Sequence, residues 1–192
     1  FLEHPYRYVA PGNNERTWGV GRRDLAHDIY FGVSVNNDSA WLSNLRDVSY
    51  ENQTHVIHGE STHQGANIDT YYFSPFGFAG NALVMLTRIT NTTESAQTIT
   101  VFAKPNLKLG IGRPDPMDAG ETITVANGVG YETGSGGGHA IYLPIEGWDS
   151  VGCGTDSDLY HQVLESGSLP STTSCTGTSQ VLVSGKSATL QP

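Results

Sequence analysis

The sequence predicts an all-β fold: an antiparallel β-sandwich with at most one short helix. Three observations carry that expectation. No stretch places apolar residues at i, i+3, i+4 and i+7 over three turns, the pattern of an amphipathic helix. About ten short runs rich in β-branched and aromatic residues are instead separated by clusters of Gly, Asn, Ser, Thr and Pro. Glycine is frequent, 23 of 192 residues, as turns between many strands require. Alternation along such strands turns one face inward and leaves the other to water.

The elements follow in order. Residues 29–35 (IYFGVSV) alternate toward their end and meet the turn Asn36-Asn37-Asp38, with Ala40-Trp41-Leu42 beyond it. Residues 54–60 (THVIHGE) and 69–75 (DTYYFSP) are the next strands, the second aromatic-rich and stopped by Pro75. Residues 82–90, the polar turn 91–95 and residues 97–105 read as a hairpin, two alternating runs joined by a short polar segment. Gly110, Gly112, Pro114, Pro116 and Gly120 punctuate a loop. Short strands resume at 121–126, 130–132 and 139–144, the last two separated by Gly134-Ser135-Gly136-Gly137-Gly138. Residues 156–166 are the one expected helix: Asp156 caps it, Leu159, Val163 and Leu164 supply an apolar side, and Gly167 stops it. Strand character returns at 180–183 and 188–190, where the chain stops with the expectation of an unpaired sheet edge. Residues 1–192 read as one domain, with 1–28 as an amino-terminal arm. The start at Phe1 reads as a processed piece or fragment of a longer precursor.

Composition excludes several functions. Lys and Arg number 10 against 19 Asp and Glu, a net charge of −9. With Arg22-Arg23 the nearest approach to a basic cluster, nucleic-acid binding is not expected. No apolar run is long enough for a membrane-spanning helix. Charged residues make up only 15%, unlike a highly charged disordered chain.

Chemistry-bearing residues are sparse. Cys153 and Cys175 lie in Gly-, Ser- and Thr-rich sequence and suggest a disulfide and an oxidising compartment, secreted, extracellular or periplasmic; two unpaired thiols are the alternative. His55, His58 and His63 form a weak metal candidate, because strand spacing sends positions 55 and 58 to opposite faces. Glu146, Asp149, Asp156 and Asp158 fall in one region, where glycoside hydrolysis would need a paired, partly desolvated set; a solvated acidic loop is the simpler reading. The Gly-rich loop at 134–138 lacks the Lys-Ser/Thr and helix of a phosphate loop. Trp18, Trp41, Trp148, Tyr71 and Tyr72 can stack on sugar rings; ordinary sandwich core is the other reading, the simpler one for Trp41, and Trp148 in a Gly-flanked acidic turn is the better surface candidate. Sequons begin at Asn37, Asn52 and Asn91. No cofactor and no catalytic residue is expected.

Residues 83–110 (LVMLTRITNTTESAQTITVFAKPNLKLG), with the stretch from Gly147-Trp148-Asp149 through Asp158-Leu159-Tyr160 and the closing Ala188-Thr189-Leu190-Gln191-Pro192, resemble a known domain. It is the amino-terminal domain of bacterial glucoamylases and glucodextranases, family 15 glycoside hydrolases. The resemblance implies a super-sandwich of the galactose-mutarotase-like type that packs against a helical barrel bearing the hydrolytic carboxylates. It therefore implies a non-catalytic accessory domain of a secreted carbohydrate-active protein, with glycan and a catalytic domain as partners. The cysteine pair and the poly-Gly loop depart from that pattern. The other reading is an extracellular or cell-surface assembly subunit that self-associates through open sheet edges.

Overall fold

The structure, a computed structural model, describes residues 26–43, 45–80, 82–107, 109, 120–135 and 138–192. The expected arm thus falls outside the described residues except for 26–28, which open the first strand. Thirteen strands and one α-helix are described: β1 (Ala26–Val35), β2 (Asp38–Trp41), β3 (Asp47–Tyr50), β4 (Ile57–His63), β5 (Ala66–Phe73), β6 (Val84–Asn91), β7 (Gln97–Leu107), β8 (Glu121–Ala126), β9 (Val129–Thr133), β10 (His139–Tyr142), β11 (Ser150–Thr155), α1 (Asp156–Ser166), β12 (Ser174–Gly177) and β13 (Gln180–Leu190). They build three antiparallel sheets, in the orders β11-β13-β7-β1-β2, β3-β4-β5-β6 and β10-β9-β8-β12. The all-β, sandwich-like expectation holds.

The five-stranded sheet is the centre and is buried on both faces. Phe31, Val33, Val35 and Ile99 project from one face onto Ala66, Ile68 and Tyr72 of the β3–β6 sheet. On the same face, toward β11 and β13, Cys153 and Leu182 meet Ile123 of the β8–β10 sheet. Phe102, Val181 and Val183 occupy the other face beneath Leu159 and Val163 of α1. Period-two alternation along β7 and β13 feeds both layers at once.

Local chemistry explains the turns and the helix. Asn36 and Asn37 both have positive φ, 50° and 70°, the backbone of a two-residue loop that matches strand twist; Gln64-Gly65 and Asn127-Gly128 repeat it. Gly32 is required for packing, since a Cβ there would come within 2.6 Å of the Trp41 ring. Gly167 ends α1 in the left-handed region at φ 58°, and its N–H donates to the Val163 carbonyl. The helix span matches expectation, but its cap does not. Thr155 is the N-cap and accepts from the Asp158 N–H, while the carboxylate of Asp156 turns instead to Lys104 at 2.6 Å.

Other expectations are corrected. Residues 82–90 and 97–105 are not a hairpin: β6 pairs with β5, and β7 pairs with β1 and β13. Asn91 accepts from the Thr93 N–H and donates to the Ser95 carbonyl, so the short link folds on itself and carries the chain from one sheet to the other. Ile89 then packs against the core cluster that contains Ile99. Residues 180–190 form one continuous strand, flanked by β11 over 180–185 and by β7 over 184–190, so only its last residues, 186–190, are left without a neighbouring strand on the β11 side. The strand expected at 54–60 begins at Ile57, because Glu51–Gln53 form a 3-10 turn that Thr54 closes through Oγ1 on the Glu51 carbonyl.

The interior is not purely apolar. Lys104 is fully buried, as are Asn106 and Glu121, with Glu132 only 1% exposed. The Lys104 ammonium lies 2.6 Å from Asp156 and 3.5 Å from Asp28, over the Tyr30 ring at 4.7 Å from its centroid. Burial by itself disfavours this charge, but hydrogen bonds to Asp156 and Tyr30 outweigh it and hold the pKa above its ordinary value.

Candidate functional site

One surface candidate grows from the connection between β10 and β11. Pro144, Gly147, Trp148, Asp149 and Ser150 meet Val125 and Gly128 of the β8–β9 hairpin around a groove of about 360 Å³. Gly147, at φ 77°, supplies a sharp turn that L side chains rarely adopt. One side of Trp148 packs on the cluster of Ile123, Cys153 and Leu182, and the ring also lines the groove. Asp149 accepts from the Ser187 N–H at 2.8 Å and from the Lys186 ammonium at 3.0 Å. Those bonds hold its carboxyl below the usual carboxylate range. The rim is therefore a fixed anion next to a half-buried indole, a pairing suited to a ligand with both hydroxyls and apolar C–H faces.

The other aromatic candidates separate by face. Trp41 is 8% exposed, donates its indole N–H to the Tyr160 carbonyl and stacks on the Tyr160 ring. Tyr72 is 6% exposed in the main core, where burial pushes its phenol up to about 12. Both are core residues and present no stacking surface. Tyr71 lies on the opposite face of β5, its ring flat against His58. Trp18 lies outside the described residues.

The three histidines are not brought together. His55 precedes β4 and bonds the Ser74 carbonyl. His63 ends β4 and bonds the Asp38 carbonyl. His58 belongs to a different set, which sequence reading missed. Register aligns Asp47, Glu60, Asp69 and Arg88 in one row across β3, β4, β5 and β6, on the open face of that sheet. His58 Nε2 is 2.9 Å from Asp69 Oδ1, and its Nδ1 is 3.4 Å from Glu51. Arg88 donates from both Nε and Nη2 to Asp69 Oδ2. Arg46 donates to Glu60 Oε2 at 2.9 Å. Despite partial desolvation, these partners hold the Asp69 carboxyl below its ordinary range. The signal lies in cross-strand register, which no local motif encodes.

The expected acidic region yields no paired acids. Glu146 and Asp158 are exposed, Asp149 is tied to Lys186, and Asp156 to Lys104. The buried carboxylates are elsewhere. Glu121 and Glu132 face inward from the β8–β10 sheet; Glu121 accepts from the Gln180 N–H and Glu132 from the Tyr142 hydroxyl. Burial and both glutamates raise the Tyr142 phenol well above its ordinary value. The outward face of the same sheet carries Thr122, Thr124, Tyr131, Thr133, Ile141 and Thr176, without a Lys, Arg, Asp or Glu among its described strand residues.

Cys153 and Cys175 form a disulfide, joining β11 of the central sheet to β12. No helix among the described residues is long and apolar enough to cross a membrane. Comparison with known protein families and with curated proteins finds no match.

Proposed function

We propose that the chain is a non-catalytic accessory β-sandwich domain of a secreted, glucoamylase-like carbohydrate-active protein, bracing a partner domain and contacting glycan through Trp148. The observation that supports this reading is the groove at Trp148, where an indole and a fixed carboxylate stand together at the surface. Titration of the chain with α-glucan oligosaccharides tests it. Saturable binding that Trp148→Ala abolishes is the expected result, with no release of reducing sugar. Absence of binding overturns the glycan contact. Turnover abolished by a single Asp or Glu substitution overturns the accessory role.

A second reading rests on a different observation. The outer face of the β8–β10 sheet, without Lys, Arg, Asp or Glu among its described strand residues, exposes Tyr131 of β9 and Ile141 of the edge strand β10, 45% and 61% accessible. It favours an extracellular assembly subunit joined through sheet edges. Light scattering separates the two: a monomer that binds oligosaccharide supports the first, and concentration-dependent oligomers support the second.

A further inference from the structure

We propose that His58, Glu60 and Asp69 form a binding site for one divalent transition-metal ion of the zinc type on the open face of the β3–β6 sheet. One ligand atom from each residue lies within 4.8 Å of the others. Ligands held at ~2.0–2.2 Å from a shared ion stand roughly 3–4 Å apart. The 2.9 Å between His58 Nε2 and Asp69 Oδ1 already falls near that spacing. Glu60, whose side chain is 39% exposed, completes the set.

The arrangement around the trio is what distinguishes it from an ordinary ion-pair network. His58 Nε2 and Asp69 Oδ1 hydrogen-bond each other and would exchange that bond for the metal, while other atoms of the trio make outer contacts. Glu51 faces His58 Nδ1, Arg88 grips Asp69 Oδ2, and Arg46 grips Glu60 Oε2. Metal sites use such outer contacts to fix ring orientation, tautomer and carboxylate geometry. The His58 ring is fixed a second time by stacking on Tyr71, with centroids 4.7 Å apart and planes 7° from parallel. All three ligands sit on paired strands, and His58 and Asp69 are largely buried, with side chains 14% and 18% exposed.

Charge argues in the same direction. Glu60 and Asp69 are direct cross-strand partners, with Asp47 next in the row. Like charges placed opposite each other destabilise a sheet. Four carboxylates, Asp47, Glu51, Glu60 and Asp69, surround two guanidiniums, Arg46 and Arg88. A divalent ion between Glu60 and Asp69 removes that imbalance. An imidazole nitrogen with two carboxylates suits zinc and its neighbours rather than magnesium or calcium, which prefer oxygen alone. Three protein ligands on a solvent-facing sheet leave a coordination position for water.

Calorimetric titration of the untagged, EDTA-treated chain with ZnCl₂ tests the site. The expected result is one zinc per chain. His58→Ala and Asp69→Asn abolish binding, and His55→Ala/His63→Ala leaves it unchanged. Arg88→Ala, which removes an outer contact alone, weakens it roughly 10–100-fold. Glu60→Gln alters a half-exposed side chain and serves if His58→Ala fails to fold. Cobalt(II) gives an independent readout, with visible bands that Glu60→Gln shifts. The proposal is overturned if no stoichiometric binding occurs, or if zinc still binds at the same affinity to folded Asp69→Asn and Glu60→Gln chains.

Discussion

Removing the carboxylate from Asp156 is expected to destabilise the chain more than removing the buried cation it neutralises. Lys104 has no exposed side-chain surface, whereas Asp156 keeps 23% of its own. Asp156→Asn leaves the ammonium in the interior with Asp28, at 3.5 Å, as its remaining carboxylate. At an effective dielectric constant near ~20, charges 2.6 Å apart attract by roughly 6 kcal/mol before desolvation and exposure are subtracted. Breaking one side of a buried pair typically costs about 3–5 kcal/mol. The substituted amide still offers a carbonyl oxygen and Asp28 remains, so about 3 kcal/mol is expected. Lys104→Met, in contrast, removes the buried charge, keeps most of the volume between Tyr30 and Trp41, and leaves Asp156 able to reach water; about 1 kcal/mol or less is expected. The double variant should resemble Lys104→Met alone, a coupling of about 3 kcal/mol. Urea unfolding of all four chains, read by Trp fluorescence with the m-value checked for constancy, measures this. Equal losses for the two single variants, or a smaller loss for Asp156→Asn, would show that the ammonium is solvated and the reasoning wrong.

Three further outcomes follow from the packing. Reduction of Cys153–Cys175, or replacement of both by Ala, should lower stability by about 3 kcal/mol through the 22-residue separation it closes, seen as a fall in melting temperature with dithiothreitol. Gly32→Ala drives a methyl into the Trp41 ring and should cost about 1–3 kcal/mol, with a change in near-ultraviolet circular dichroism from Trp41. Tyr72, raised to about 12 by burial, contributes stability that is full below pH ~10 and is lost as pH rises toward 12, because the unfolded phenol ionises first. The loss should approach about 3 kcal/mol. Tyr72→Phe should flatten that alkaline limb in denaturation curves taken across it, and an unchanged limb would assign it elsewhere.

What the sequence makes legible is local. The α1 span is legible because Leu159 and Val163 mark a helical stripe and Gly167 supplies its stop. Strands β1, β7 and β8 are legible because β-branched and aromatic residues fill them. β11 (SVGCGT) and β12 (SCTG) read as loops, since Gly, Ser and Cys carry little strand preference. Their pairing with β13 and β8 supplies what propensity does not. The β6–β7 link misleads for a related reason. Two alternating runs and a polar turn describe a sheet-to-sheet crossing as well as a hairpin, and only tertiary packing distinguishes them. Of the candidate sites, Trp148 is visible through its Gly-flanked position. The Glu60–Asp69 pair is not, because two positions nine apart become neighbours only through the Gln64-Gly65 turn and the register it imposes. Lys104 is hidden likewise: its place on the helix-facing side of β7 depends on which sheet the strand joins.

The disulfide also governs how the chain would bear mechanical load. Cys153 lies near the end of β11 and Cys175 within β12, so the loop they close contains the whole of α1. A pulling force on the two termini would run through the sulfurs and bypass the helix. Each residue of an extended chain adds ~3.4 Å of length, but the stretch between the cysteines would add none while the bond is intact. Reduction would release that hidden slack, about 70 Å of it, and in a stretched molecule the thiol state would set how far the ends can separate.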